Sequence, residues 1–120
     1  MSNLFRHEHY FGAMYITGPQ SLYLLLDLQP ERIADPTVTP IREDRLYGNP
    51  SDDAVRAAVV AGCEAANKES GTDLWPLEIR YTYSGSDREC HLMRWAAQAI
   101  VERLATDGPD SFPVSERGII

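Results

Sequence analysis

The stretch Trp75 to Leu104, WPLEIRYTYSGSDRECHLMRWAAQAIVERL, narrows the possible folds more than any other part of the chain. Leu77, Ile79, Tyr81 and Tyr83 alternate with Glu78, Arg80 and Thr82, which is the period of a half-buried strand. Ser84 and Gly85 break that run. Ser86, with Glu89 three residues later, has the spacing of a capping box, whose side chains satisfy free amides at a helix start. Met93, Ala96, Ala97, Ile100 and Leu104 then recur at helical spacing until Asp107-Gly108-Pro109 ends the run. A strand with one apolar face, followed closely by a helix with one apolar stripe, calls for a layered arrangement in which each covers the other.

The preceding residues supply the other elements. Tyr10 to Thr17 reads as a strand with Phe11, Ala13 and Tyr15 on one face and Tyr10, Met14 and Ile16 on the other. Thr17-Gly18-Pro19-Gln20 has turn composition, and Ser21 to Leu28 follows as a strand with Leu22, Leu24, Leu26 and Leu28 inward. So short a turn pairs the two as an antiparallel hairpin. Pro30, Pro36 and Pro40 restrict the next region to a short edge strand through Thr37-Val38-Thr39 and Ile41. Ser51 then caps a helix, with Asp52 and Asp53 at the positive end of its dipole. Val55, Val59, Cys63 and Ala66 form the seam of that helix, and Lys68 and Gly71 mark its end. Its many alanines and Gly62 predict close approach to a sheet or to another helix. The expected order is β-β-(β)-α-β-α, an α+β fold with a small mixed or antiparallel sheet of about four strands and both helices on one face. Residues 1 to 108 read as one domain and 109 to 120 as a tail without periodicity. Apolar residues on both sides of the hairpin strands predict that the tail or a partner covers the second sheet face.

Charge and cysteine usage exclude several functions. A net charge of -7 argues against a duplex nucleic-acid binder, which needs clustered Lys and Arg. Cys63 and Cys90 make neither a disulfide scaffold nor a CxxC pair. The opening MSNLFRHEHY has no apolar core of a signal peptide, and the run Leu22 to Leu28 is interrupted by Asp27 and too short for a bilayer. The expectation is a cytoplasmic, soluble protein with no membrane contact.

Each candidate for chemistry has a plainer explanation. Cys90 and His91 lie near a helix start, where the dipole favours a thiolate. Adjacent helical residues point about 100° apart, however, and Asp87 and Glu89 oppose the negative charge. His7-Glu8-His9 would set two imidazoles on one side of a strand, but local spacing offers no third ligand, so no metal or other cofactor is assigned. Ser84-Gly85-Ser86-Asp87 lacks the glycine pattern of a phosphate loop. Tyr23, Tyr81 and Tyr83 could present a wet aromatic sheet face, although strand propensity and cross-strand packing are the better explanation.

No catalytic residue is assigned, and the reading is a non-enzymatic domain that binds a macromolecule or itself. Glu43 to Asp73 holds seven acidic and three basic residues, so the expected partner surface is Asp52, Asp53, Arg56 and Glu64. A specific version is an inhibitor or immunity-type protein for a basic partner. An alternative is a small-molecule or enzyme pocket with Tyr81, Cys90 and His91 at its mouth. A further alternative is a homodimer joined through Phe112, Val114, Ile119 and Ile120.

The stretches YITGPQSLYLLLDLQPE, AVRAAVVAGCEAANKESG, LEIRYTYSGS and HLMRWAAQAIVERL resemble, in element order and hydrophobic pattern, domain IV of elongation factor G. The resemblance implies a ribosomal protein S5 domain 2-like fold. In that family the hairpin turn is glycine-rich and follows basic residues, and the last turn carries a His shortly before Asp-Ser-Ser. Here Thr17-Gly18-Pro19-Gln20 has no basic flank and Ser84-Gly85-Ser86-Asp87 has no matching His, so no functional residue is carried over.

Overall fold

The computed structural model describes residues 3 to 115, which form one mixed sheet with two helices on one face. In chain order the elements are β1 (Leu4–His7), β2 (Tyr10–Ile16), β3 (Ser21–Gln29), β4 (Thr37–Pro40), α1 (Asp52–Ser70), β5 (Trp75–Ser84) and α2 (His91–Asp107). The sheet order is β1-β2-β3-β5-β4, antiparallel except for β4 beside β5. Parallel neighbours need a long crossover, and α1 supplies it.

The expected α+β class is correct, with five strands where about four were expected. The additional strand is β1, in the opening segment, to which the sequence pattern assigns no element. Four residues are too few to show alternation, and its turn lacks glycine: Glu8 itself adopts the left-handed conformation at φ 54°. The edge strand at Thr37 and the β2–β3 hairpin lie where expected.

Leu22, Leu24 and Leu26 of β3 line up with Tyr83, Tyr81 and Ile79 of β5, all essentially inaccessible beneath the helices. The alternation then slips. The register shifts between Asp27 and Leu28, where Glu78 and Pro76 are the successive partners and Leu77 is left over. This bulge explains why Leu77, expected to face inward, is exposed, and why Leu28 is only partly buried.

The helices meet through small residues. At Gly62 an added Cβ would lie 2.3 Å from the carbonyl oxygen of Arg94 and 3.0 Å from the Cβ of Ala97. The close approach predicted for α1 is therefore to α2. Ser51 caps α1 by accepting from the Ala54 amide at 3.1 Å, and Gly71 ends it at φ 68°. Asn67, almost completely buried, fastens that end to β5 by donating to the Leu74 carbonyl and accepting from the Leu74 amide and the Thr72 hydroxyl.

The start of α2 corrects the sequence reading. Ser86 and Glu89 form no capping box. The helix begins at His91, after Cys90 in the left-handed conformation at φ 59°. Asp87 takes the capping role, its two oxygens accepting from the amides of Glu89 and His91 at 2.9 and 3.0 Å. The path of the turn brings the Asp87 carboxylate to these amides, where it makes charge-assisted hydrogen bonds.

The chain after α2 folds back onto its own domain. Phe112 is 3% exposed and packs edge-on against Phe11, with ring centroids 5.0 Å apart. Pro113 and Ser115 then flank β1, the Arg6 amide donating to the Pro113 carbonyl and the Ser115 amide to the Arg6 carbonyl. Phe112 therefore fills this chain's own core; docking onto a second copy was one alternative read from the sequence. Val114 is exposed at the sheet edge, and Ile119 and Ile120 lie outside the described residues.

The described residues of this segment, up to Ser115, run along the edge of the sheet beside β1 and do not cover its second face. That face covers itself with aromatic side chains. The ring of Phe5 lies over Gly12 and packs on Tyr23 at 5.2 Å, and Leu25 beside them is 3% exposed. Tyr10 lies between the ring of His9 at 4.1 Å and the guanidinium of Arg80 at 5.7 Å. Met14 and Ile16 remain exposed at the end of β2.

Candidate functional site

The acidic set on α1 shares one side of the helix, but three of its members are engaged by other groups. Asp52, Asp53 and Arg56 share the first turns, but Arg56 binds Asp53 at 2.9 Å and donates to the Pro36 carbonyl at 3.0 Å, which pins the entry to β4. Glu64 lies eight residues beyond Arg56, about 12 Å along the axis. It pairs with Arg32 at 3.1 Å, and Arg32 in turn covers the ring of Trp75 at 4.7 Å. Half the expected partner surface is thus occupied in holding the β3–α1 connection, and its charge is partly neutralised.

The alternative set, Tyr81, Cys90 and His91, is divided by burial. Tyr81 and Cys90 are both at 0% exposure, whereas His91 is exposed and bound to Asp87 and Glu89. Burial pushes the Cys90 thiol up to about 11, with the Asp87 charge adding to the effect and Arg88 opposing it. Burial likewise pushes the Tyr81 phenol up to about 12. Both groups are protonated at neutral pH and closed to solvent, the reverse of a reactive centre. Cys63, at 0% exposure, is raised to about 12 by burial.

The aromatic residues exposed at the surface are different from those expected. Tyr81 and Tyr83 face the helices, and Tyr23 is packed against Phe5. The exposed Trp95 and the half-buried Tyr15 instead flank a shallow, open cleft of about 280 Å³, completed by Gln98, Ala99 and Glu102. The helix period explains the position of Trp95. Met93, Ala96, Ala97 and Ile100 point into the core, which leaves Trp95, Gln98 and Glu102 on the outer flank at spacings of three and four. Tyr15 comes from the end of β2, on the helix side of the sheet, and partial burial raises its phenol. Gln98 donates to Glu102 Oε1 at 3.0 Å, so the carboxylate is held beside the aromatic surface. Two aromatic rings and an oriented carboxylate favour a cation carried on an apolar stem. The sequence signal for this site was the same periodicity that gave the helix: a tryptophan one position before an inward alanine faces outward.

The histidine pair is also rearranged. The turn after β1 separates the two rings: His7 Nδ1 bonds the Ser115 carbonyl, while His9 turns toward Asp27 and Glu78. No helix among the described residues is long and apolar enough to cross a membrane. No protein-family model, curated protein or solved structure matches the chain.

Proposed function

We propose that this chain is a small interaction domain that binds a basic segment of a macromolecular partner, and that the Trp95 cleft takes a Lys or Arg side chain of that partner. The observation that carries the reading is the exposure of Trp95 (74%) beside Tyr15 and Glu102. A tryptophan exposes its large apolar area to water only at some cost, and Trp and Tyr are among the residues that dominate binding energy at protein interfaces. The net charge of -7 favours a cationic partner and would speed its approach. The buried, protonated thiols support a binding role over thiol catalysis.

Titration with an oligoarginine peptide, followed by tryptophan fluorescence, tests this reading. Trp75 is 9% exposed, so a surface event reports mainly through Trp95. The expected result is a saturable change that weakens with salt, is absent with oligoglutamate, and is reduced at least about tenfold in Trp95→Phe or Trp95→Ala followed by calorimetry. Trp95→Ala leaves the net charge untouched. Equal affinity in that variant would mean diffuse attraction to an acidic protein, and the cleft assignment would be wrong.

A further inference from the structure

We propose that His9, Asp27 and Glu78 form a divalent transition-metal site on the helix-free face of the sheet. The three donors come from three separate parts of the chain, the β1–β2 turn, β3 and β5, and their ligand atoms all lie within 4.8 Å of one another. His9 Nε2 is 3.8 Å from Asp27 Oδ2. Asp27 and Glu78 are direct cross-strand partners, so two carboxylates stand side by side on one face. Like charges directly opposite each other destabilise a strand pair. Arg80, whose guanidinium lies over the Tyr10 ring, forms no direct ion pair with either carboxylate among the described residues. A bound cation would convert that repulsion into ligation.

The surroundings fix the ligands from behind. The Tyr10 hydroxyl donates to Glu78 Oε1 at 2.6 Å, which orients the carboxylate and leaves Oε2 for an ion. The same Tyr10 ring carries the His9 imidazole at 4.1 Å. Hydrogen bonds from such outer groups are what make metal ligands rigid and basic. One imidazole nitrogen and two carboxylate oxygens suit a first-row ion such as Zn²⁺ better than Mg²⁺ or Ca²⁺, which prefer all-oxygen shells. Three protein ligands leave at least one position for water or for a group from a partner. The site is built on different elements from the Trp95 cleft, and neither assignment depends on the other.

Calorimetric titration of the full-length chain with Zn²⁺, against Mg²⁺ as control, decides the matter. The expected result is saturable 1:1 zinc binding that is lost in His9→Gln and Asp27→Asn and falls about tenfold in Tyr10→Phe, which keeps the ring but removes the hydroxyl. His91→Gln is the control, because His91 also lies beside two carboxylates, Asp87 and Glu89, yet meets them with different ring nitrogens. In chelator, Asp27→Asn should melt at a higher temperature than wild type, because it removes one of the two opposed charges. Absence of saturable zinc binding in the wild-type chain would overturn the proposal. So would zinc binding that survives in His9→Gln or disappears in His91→Gln.

Discussion

Replacing Gly62 with alanine should destabilise the protein, although alanine is the better helix former. By propensity alone the change in the middle of α1 gains about 1 kcal/mol. The new Cβ, however, would stand 2.3 Å from the Arg94 carbonyl oxygen and 3.0 Å from the Gln98 nitrogen, both backbone atoms of α2 that cannot swing aside. Close carbon–oxygen contacts settle at roughly 3.3–3.6 Å, so the helices must part by about 1 Å at this point. A gap of that size forfeits up to about half of each dispersion contact across the seam. The seam is long: Val55, Val59, Cys63 and Ala66 on α1, and Met93, Ala97, Ile100 and Val101 on α2, are all at 0% exposure. Overpacking of this kind costs about 1–3 kcal/mol, and the rigid obstacle places Gly62 at the upper end. The net expected loss is about 2 kcal/mol, or roughly 8 °C in melting temperature for a chain of this size. Urea unfolding of wild type and Gly62→Ala measures it directly. A variant more stable by about 1 kcal/mol would show that the helices are not in backbone contact here, and the packing argument would fail.

Other parts of the fold make separate predictions. Asn67→Ala removes three hydrogen bonds at the α1–β5 junction and leaves Leu74 groups unsatisfied, so it should cost about 2–3 kcal/mol in urea unfolding. Phe112→Ala should cost about 3 kcal/mol and leave the solution mass unchanged, since Phe112 fills this chain's own core; a change in mass measured by light scattering would restore the dimer reading. Burial alone would raise the Asp87 carboxyl, but it is outweighed by the amides of His91 and Glu89 and by the His91 ring, which hold it below the usual range. A folded-state value below the unfolded one means that this stabilisation is complete above about pH 4 and is lost as acid takes the pH below that. Asp87→Asn should therefore flatten the acid limb of a stability–pH profile, and an unchanged limb would show that Asp87 contributes nothing there. Both thiols should resist alkylation at neutral pH in the native chain and react at the rate of local opening, so labelling that matches a free cysteine would contradict their burial.

What could be read from the sequence divides along physical lines. Long, regular elements with strong patterning were visible: the Leu22–Leu26 alternation, the Ser51-to-Gly71 helix with both caps, and the inward stripe of α2. Features set by partners distant in sequence were not. β1 is defined by its pairing with β2 and by the returning Pro113–Ser115 segment, and four residues carry no period of their own. The outward turn of Leu77 comes from a register shift between β3 and β5 that neither strand reveals alone. The cap of α2 was misread because Ser86 and Asp87 are both acceptors, and only the path of the turn decides between them. The sites followed the same rule. Trp95 was predictable as outward from its own helix, but Tyr15 joins it only through the sheet-to-helix packing. Asp27 and Glu78 are far from His9 in sequence, and strand register brings all three together.

The most direct test of the binding account is residue-by-residue NMR mapping of the oligoarginine titration on the full-length, isotope-labelled chain. The account predicts that the largest shifts fall on the Trp95 indole, Tyr15, Gln98, Ala99 and Glu102, the lining of the cleft. Shifts centred instead on Asp52, Asp53 and Glu64, with the cleft unchanged, would contradict it and return the partner surface to the acidic face of α1.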